Sequence, residues 1–333
     1  MKEALFYSKI NGQSVRCYLC AHNCLIKKDK KGICGTRQNI DGVLYSIVYG
    51  NLVASNIDPI EKKPLYHFFP GTLSFSISTR GCNFKCKHCQ NASISQFVEM
   101  QTRQINPLQI VEDALNSGCK SISYTYTEPT VYFEYAFDIA KIAKQKGLLN
   151  IFVSNGYISK EASEAIIPYL NANNIDLKGD DEFYKSICGA RLQPVLDTIK
   201  RMKDSNVWIE ITTLIIPTLN DNDDFLIWAA EFIKSVDPTI PWHLSAFYPA
   251  YKMNDKPPTT LSTLKRAREI ALKTGLKYVY IGNIQDNEGA NTYCPQCKTL
   301  LIKRQGYTVR LKNLNADSCS ICGYKVEGRF ILS

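Results

Sequence analysis

From residue 73 to about residue 281 the sequence alternates short apolar, strand-like runs with amphipathic helical stretches. That alternation restricts the chain to folds built from repeated βα units with parallel strands. The strand candidates are LSFSIST (73–79), SISYTY (121–126), LNIFVSN (149–155), NIDLKG (174–179), VWIEITTL (207–214) and WHLSAF (242–247). Helical stretches lie between or after them at 107–117, 132–146, 160–170, 192–203, 223–235 and 261–274. Six units in about 210 residues suit a partial, TIM-like (β/α)6 barrel or a doubly wound sheet, and periodicity alone does not choose. Polar residues stand at the C-terminal ends of these runs, where both architectures place their chemistry: Glu128, Asn155, Asp176, Lys178, Thr212 and His243. The expected organisation is a core at 73–282 between two cysteine-bearing flanks, 1–72 and 283–333.

Of thirteen cysteines, eleven fall into three tight groups, leaving Cys119 and Cys188 alone. Disulfide frameworks are rarely arranged that way, and in a reducing cell interior clustered cysteines point to metal. The two single cysteines are expected to be buried small hydrophobes. The formal charge of +9 counts every cysteine as neutral. Two four-thiolate zinc sites and one three-thiolate [4Fe-4S] cluster would bring it to about +4, leaving little basic excess for a polyanion to explain. The densest run, KKDKKG at 27–32, reads as a solvated turn. The opening MKEALFYSKINGQS lacks the apolar core of a signal peptide, and no apolar run is long enough to span a bilayer. The expected location is the cytoplasm.

The central group lies in STRGCNFKCKHCQNASI, residues 78–94, where Cys82, Cys86 and Cys89 have the spacing C-x3-C-x2-C. A structural zinc site closes with four protein ligands, and the only local fourth is His88, whose side chain directly precedes Cys89 and converges poorly with it on one small ion. A cubane cluster on three cysteines leaves one iron free to bind something else. Zinc and an open-site cluster both stand at this point.

The same residues resemble the radical S-adenosylmethionine (SAM) superfamily, in which C-x3-C-x2-C follows the first strand of a six-unit βα domain. The resemblance implies a [4Fe-4S] cluster on Cys82, Cys86 and Cys89, with SAM chelated to the free iron. It also implies that SAM is cleaved by one electron to methionine and a 5'-deoxyadenosyl radical, which abstracts hydrogen from a substrate. His88 matches the aromatic-type residue that often precedes the last cysteine. In YTYTEPT, Glu128 and Pro129 match the end of the family's glycine-glycine-glutamate-proline segment, which receives the SAM amino group; both glycines are missing here. VSNG, with Asn155, resembles the turn near the ribose, and DLKG, with Asp176 and Lys178, resembles an element of the glycyl-radical activating enzymes. His243 resembles the activating-enzyme histidine near the SAM pocket. A reductant such as flavodoxin or ferredoxin, and anaerobic operation, follow from the same likeness.

In the C-terminal flank, Cys294, Cys297, Cys319 and Cys322 form two C-x2-C knuckles separated by strand-like segments, a zinc-ribbon signature. A mononuclear iron site or an auxiliary iron–sulfur cluster is the alternative to zinc there, and the segment reads as a nucleic-acid module or as a structural cap. In the N-terminal flank, Cys17, Cys20, Cys24 and Cys34 fit no common zinc finger, and zinc and an auxiliary iron–sulfur cluster both remain open. His67, among Leu65, Phe68 and Phe69, is expected to pack; covering the active-site mouth is its alternative role. Together the flanks, DPIEKKPLYHFFPGT and PWHLSAFYP resemble the radical SAM enzymes of the AmmeMemoRadiSam system along nearly the whole chain. The expectation is therefore a radical SAM enzyme acting on an unidentified substrate, either a protein partner, as glycyl-radical activating enzymes do, or a peptide or small molecule. The competing class is a non-enzymatic zinc protein that contacts nucleic acid. A monomer is the default.

Overall fold

The computed structural model describes residues 1–97, 101–286 and 288–331. Leu73–Thr79, Ser121–Tyr124, Leu149–Ser154, Ala172–Asp176, Trp208–Ile215, Trp242–Ala246 and Val279–Gly282 lie side by side in that order. Every neighbouring pair is parallel. The six expected βα units are present, and the chain adds a seventh parallel strand, Val279–Gly282, after the last helix. Sequence order equal to spatial order curls such a sheet toward a barrel, and helices cover its outside. On the other side of the first parallel strand, Asn51–Pro59 pairs antiparallel with it and carries the short strand Arg103–Gln104.

The strands are buried on both faces, as a sheet covered by helices requires. The barrel interior is not wholly apolar. Ser74 and Ser123 share a hydrogen bond of 2.6 Å, and Ser78 and Thr127 share one of 2.8 Å. The helices start where side chains replace missing backbone partners: Asn106, Ser159, Asn222 and Thr260 each accept from the backbone N–H three residues on. Among the described residues no helix is long and apolar enough to cross a membrane.

The flanks pack at opposite ends of the barrel. The C-terminal segment forms the antiparallel sheet Thr292–Tyr293, Leu300–Gln305 and Thr308–Leu311, then the hairpin Leu314–Asn315 with Ser318–Cys319. It covers the N-terminal ends of the parallel strands. Arg304 donates to Tyr66 O at 2.7 Å, Tyr278 Oη donates to Glu327 at 2.7 Å, and Phe68 bridges to Arg329. His67 is fully buried there, bonded to Glu327 O at 2.6 Å and to Tyr280 Oη at 2.5 Å, so it packs as expected and lies far from the mouth. The N-terminal segment, two small antiparallel sheets, packs instead beside the loop that carries Cys82.

Candidate active site

At the C-terminal ends of the strands a cavity of about 550 Å³ opens, within the range of small-molecule sites. Cys82, Cys86, His88 and Cys89 enter it from the loop after the first parallel strand, Glu128 after the second, Asn155 after the third, and Asp176 and Lys178 after the fourth. These are the sequence-predicted residues, brought together from four successive units. Thr212 and Ser245 also line it.

The cysteine loop is held from behind by a segment the sequence did not mark. Residues Tyr184–Cys188 form a turn of π-helix, a form common at functional sites. Its carbonyls accept from the loop: Lys85 N donates to Cys188 O at 2.8 Å and Lys87 N to Ile187 O at 3.1 Å. Cys188 is buried, as expected of a single cysteine, and its thiol beside Cys86 helps push the Cys86 thiol well above its usual range. Burial, and then the Glu128 carboxylate, push the Cys82 thiol well above its usual range. A thiolate there needs a cation, which is what an iron–sulfur cluster supplies. His88 is kept neutral, its pKa lowered to about 3 by burial and by Lys178. Its Nδ1 is buried with no hydrogen-bond partner, so the loop offers a polar atom that nothing in the chain satisfies.

Glu128 is tied to its neighbours through an uneven set of bonds. Oε1 accepts from Thr130 N at 3.1 Å, Thr130 Oγ1 at 2.6 Å and Ser154 Oγ at 2.9 Å. Oε2 accepts from Asn155 N at 2.7 Å and keeps an acceptor position. Burial raises its pKa against these bonds. Asn155 Nδ2 donates to Asn83 Oδ1 at 2.8 Å, which ties the turn after the third parallel strand to the residue beside Cys82. Gly156 completes that turn at φ +71°, where a β-carbon would stand 2.9 Å from Ile175. Lys178 Nζ donates to Asp176 at 2.6 Å. Burial opposes its charge, but Asp176 and the nearby sulfurs of Cys86 and Cys188 hold its pKa well above the usual lysine range.

His243 is not part of this lining. It is the second residue of its strand rather than the last, so it faces a deeper layer of the barrel, where Nε2 bonds Glu210 Oε2 at 2.6 Å and its ring stacks on Tyr280. Glu210 also accepts from the backbone of Tyr66 and His67, a structural anchor.

A cluster that sequence reading missed stands on the cavity wall beside Glu128. Asp58 accepts from Lys62 at 2.8 Å, from Lys63 at 2.7 Å and from the hydroxyl of Tyr126. The Lys63 ammonium lies 4.6 Å from the centre of the Tyr126 ring. Burial lowers the Lys63 pKa to about 8 against the pull of Asp58. Tyr126 takes φ +63°, rare for an aromatic residue. It occupies the place of the first absent glycine. The absence itself was the available signal, since a non-glycine there has to bear glycine's backbone.

The terminal cysteines form a closed site. Their four sulfurs lie within 4.8 Å of one another, with Cys294 to Cys322 and Cys297 to Cys319 both at 3.6 Å. Four sulfurs about 2.3 Å from a central zinc stand about 3.8 Å apart, so a tetrahedral ion fits this set. Cys17, Cys20, Cys24 and Cys34 line a second, much smaller cavity, of about 20 Å³, next to the Cys82 loop.

Residues 76–228 match the family model described as the radical SAM superfamily. An uncharacterized protein of Methanocaldococcus jannaschii is 47% identical over 332 residues, 98% of this chain and 99% of that one. The pyruvate formate-lyase-activating enzyme of Clostridium pasteurianum is 24% identical over 162 residues, 47% of this chain and 68% of that protein. Among solved structures, Streptococcus suis SuiB bound to S-adenosylmethionine has a TM-score of 0.51 at 15% identity, over 67% of this chain and 52% of that chain. At that identity the likeness is one of fold.

Proposed function

The chain belongs to the radical SAM superfamily and is related to the pyruvate formate-lyase-activating enzymes, and from that premise we propose that Cys82, Cys86 and Cys89 hold a [4Fe-4S] cluster that binds and cleaves SAM. The observation that carries this reading is the meeting of the three cysteines with polar strand ends from three further units on one cavity. Once bound to the reduced cluster, SAM supplies a 5'-deoxyadenosyl radical able to take hydrogen from an unactivated C–H bond.

The chain's own residues bind, orient and exclude. Glu128 Oε2, with its open acceptor position, would receive the amino group of SAM, and Asn155 would approach the ribose. Lys178, charged and buried against Asp176, would face the carboxylate, while the unpartnered Nδ1 of His88 would take up a polar group of the cofactor. The walls keep water from a radical that would otherwise be quenched. The terminal four-cysteine site would hold zinc as part of a cap, since that segment is bonded to the strand ends opposite the cavity.

The substrate best supported is a protein partner, the class on which the activating enzymes act. Beside the cysteine loop, Phe97 and Tyr248 are exposed, Phe97 lies 6.3 Å from Tyr251, and Lys252 N donates to Lys87 O at 3.0 Å. Exposed aromatics around a site mouth suit a macromolecular contact. A one-electron protein such as flavodoxin or ferredoxin would supply the electron.

The test is anaerobic reconstitution with iron and sulfide, then dithionite and SAM, with 5'-deoxyadenosine measured by chromatography. The wild type should form it, and the triple variant Cys82→Ala, Cys86→Ala, Cys89→Ala should not. A folded wild-type chain that assembles no cluster on the triad would overturn the proposal.

A further inference from the structure

The chain contains three cysteine groups, and their geometries differ. The terminal four are drawn together to single-ion distances, with sulfurs 3.6 Å apart in two pairs. Among the described residues they are the group whose ligand atoms all lie within 4.8 Å of one another. The N-terminal four are not drawn together in this way. Like the central triad, they are spread around a cavity rather than gathered on one point, though theirs is small, about 20 Å³. In a cubane cluster each thiolate takes a different iron, so its cysteine sulfurs stand farther apart than those around one zinc ion. By this internal comparison the N-terminal group is built like the central triad and unlike the ribbon.

The surroundings supply what a cluster's sulfurs need. Thr36 Oγ1 lies 3.2 Å from Cys34 Sγ, and Arg37 Nη1 lies 3.7 Å from Cys17 Sγ. Two further donors on residues lining the cavity, Arg37 Nε and Asn83 Nδ2, are buried without any partner, and each residue is 1% exposed. Unpartnered buried donors call for an acceptor, and hydrogen bonds to sulfur are a means by which proteins tune iron–sulfur clusters.

The cavity shares a wall with the candidate active site. Asn83, which follows Cys82, and Thr130, which bonds Glu128, both line it. His22 Nε2 bonds Asn83 O at 2.8 Å. At Gly81 the two loops touch so closely that a β-carbon would stand 2.3 Å from Thr36 Cγ2 and 2.9 Å from Cys34 O, with φ at +95°. Only glycine fits that approach.

We propose that Cys17, Cys20, Cys24 and Cys34 hold a second iron–sulfur cluster of the cubane type, packed against the Cys82 loop. This assignment does not depend on the function proposed above, because the two sites are emptied separately. The full chain is reconstituted anaerobically with iron and sulfide in the presence of zinc, and iron, sulfide and zinc are counted per chain. Three forms are compared: wild type, the triad variant Cys82→Ala, Cys86→Ala, Cys89→Ala, and the N-terminal variant Cys20→Ser, Cys24→Ser. The triad variant should still bind about four irons and four sulfides, beside about one zinc, and show the electron paramagnetic resonance of a reduced cluster.

The N-terminal variant should carry about four irons fewer than wild type. A folded triad variant that binds about two zinc ions and no iron would overturn the proposal, as would one that retains only the ribbon's zinc. Should the triad variant fail to melt cooperatively, the difference between wild type and the N-terminal variant decides, and equal iron in both sinks the idea. A chain with no cluster on the central triad is recognised separately, because the N-terminal variant then loses all its iron.

Discussion

At the scale of single residues, Tyr126 combines a backbone cost with a side-chain role. A non-glycine residue in the left-handed region costs on the order of 1–2 kcal/mol. Its hydroxyl donates to Asp58, whose carboxylate also takes the ammonium groups of Lys62 and Lys63. Tyr126→Phe should lower stability by about 1.5 kcal/mol, the scale of a hydrogen bond to a charged group. Tyr126→Ala loses the same bond and the ring over Lys63 while keeping the strained backbone, whereas Tyr126→Gly relieves it. The glycine variant should therefore unfold at higher urea than the alanine variant by about 1 kcal/mol, read from paired denaturation curves. Equal midpoints would mean that the positive φ costs nothing here. The result bears on the site because Tyr126, Lys62 and Lys63 all line the cavity. The strain is spent on placing a phenol where the family's pattern has no side chain.

At the scale of elements, the turn of π-helix at Tyr184–Cys188 joins two parts of the site. Tyr184 Oη accepts from Lys178 N and donates to Asp176 O, both at 3.1 Å, while the carbonyls of Ile187 and Cys188 hold the cysteine loop. Tyr184→Phe removes both hydroxyl bonds and leaves the ring contacts with Phe84. It should cost about 1–2 kcal/mol of stability and weaken SAM binding several-fold with cluster iron unchanged. Isothermal titration beside an iron assay checks this, and SAM affinity equal to wild type would show that the clamp does not matter to the cofactor. Little of this support was legible in the sequence. The six βα units were, because strands buried on both faces and helices buried on one leave different periods. Val279–Gly282 was not, being four residues long and running into the cysteine-rich flank. The cysteines, Glu128, Asn155, Asp176 and Lys178 were legible because each lies in a short local motif at a strand end. Asp58 and Tyr126 were not, since they meet across 68 residues. His243 was assigned to the pocket because its register along the strand is invisible without the neighbouring strands; in the fold it points at Glu210.

At the scale of the whole molecule, the two flanks divide the labour of the barrel's ends: one lies against the cysteine loop, the other seals the opposite opening. The seal is knitted through His67, whose ring bonds Glu327 O and Tyr280 Oη among the rings of Trp208, Tyr278 and Phe330. Its burial lowers the pKa to about 4 from an ordinary value of 6.5, chiefly because the charged ring would lose its hydration. The sign follows from proton counting. Between these two values the unfolded chain binds a proton on His67 and the folded chain does not, so stability rises with pH across that window. His67 thus contributes fully above about pH 6.5, and its contribution is lost as pH falls through about 4. The loss can reach about 3 kcal/mol for a group so shifted. The variant His67→Gln cannot titrate and keeps a polar side chain for the same cap. Its stability, although lower at pH 7, should fall less steeply than that of wild type between pH 6.5 and pH 4.5, as read from urea midpoints. Acid loss of a metal held by the four terminal cysteines would affect both proteins alike and cancel in the difference. Parallel pH profiles would mean that His67 is protonated in the folded cap, and the seal would then rest on Arg304 and Glu327 instead.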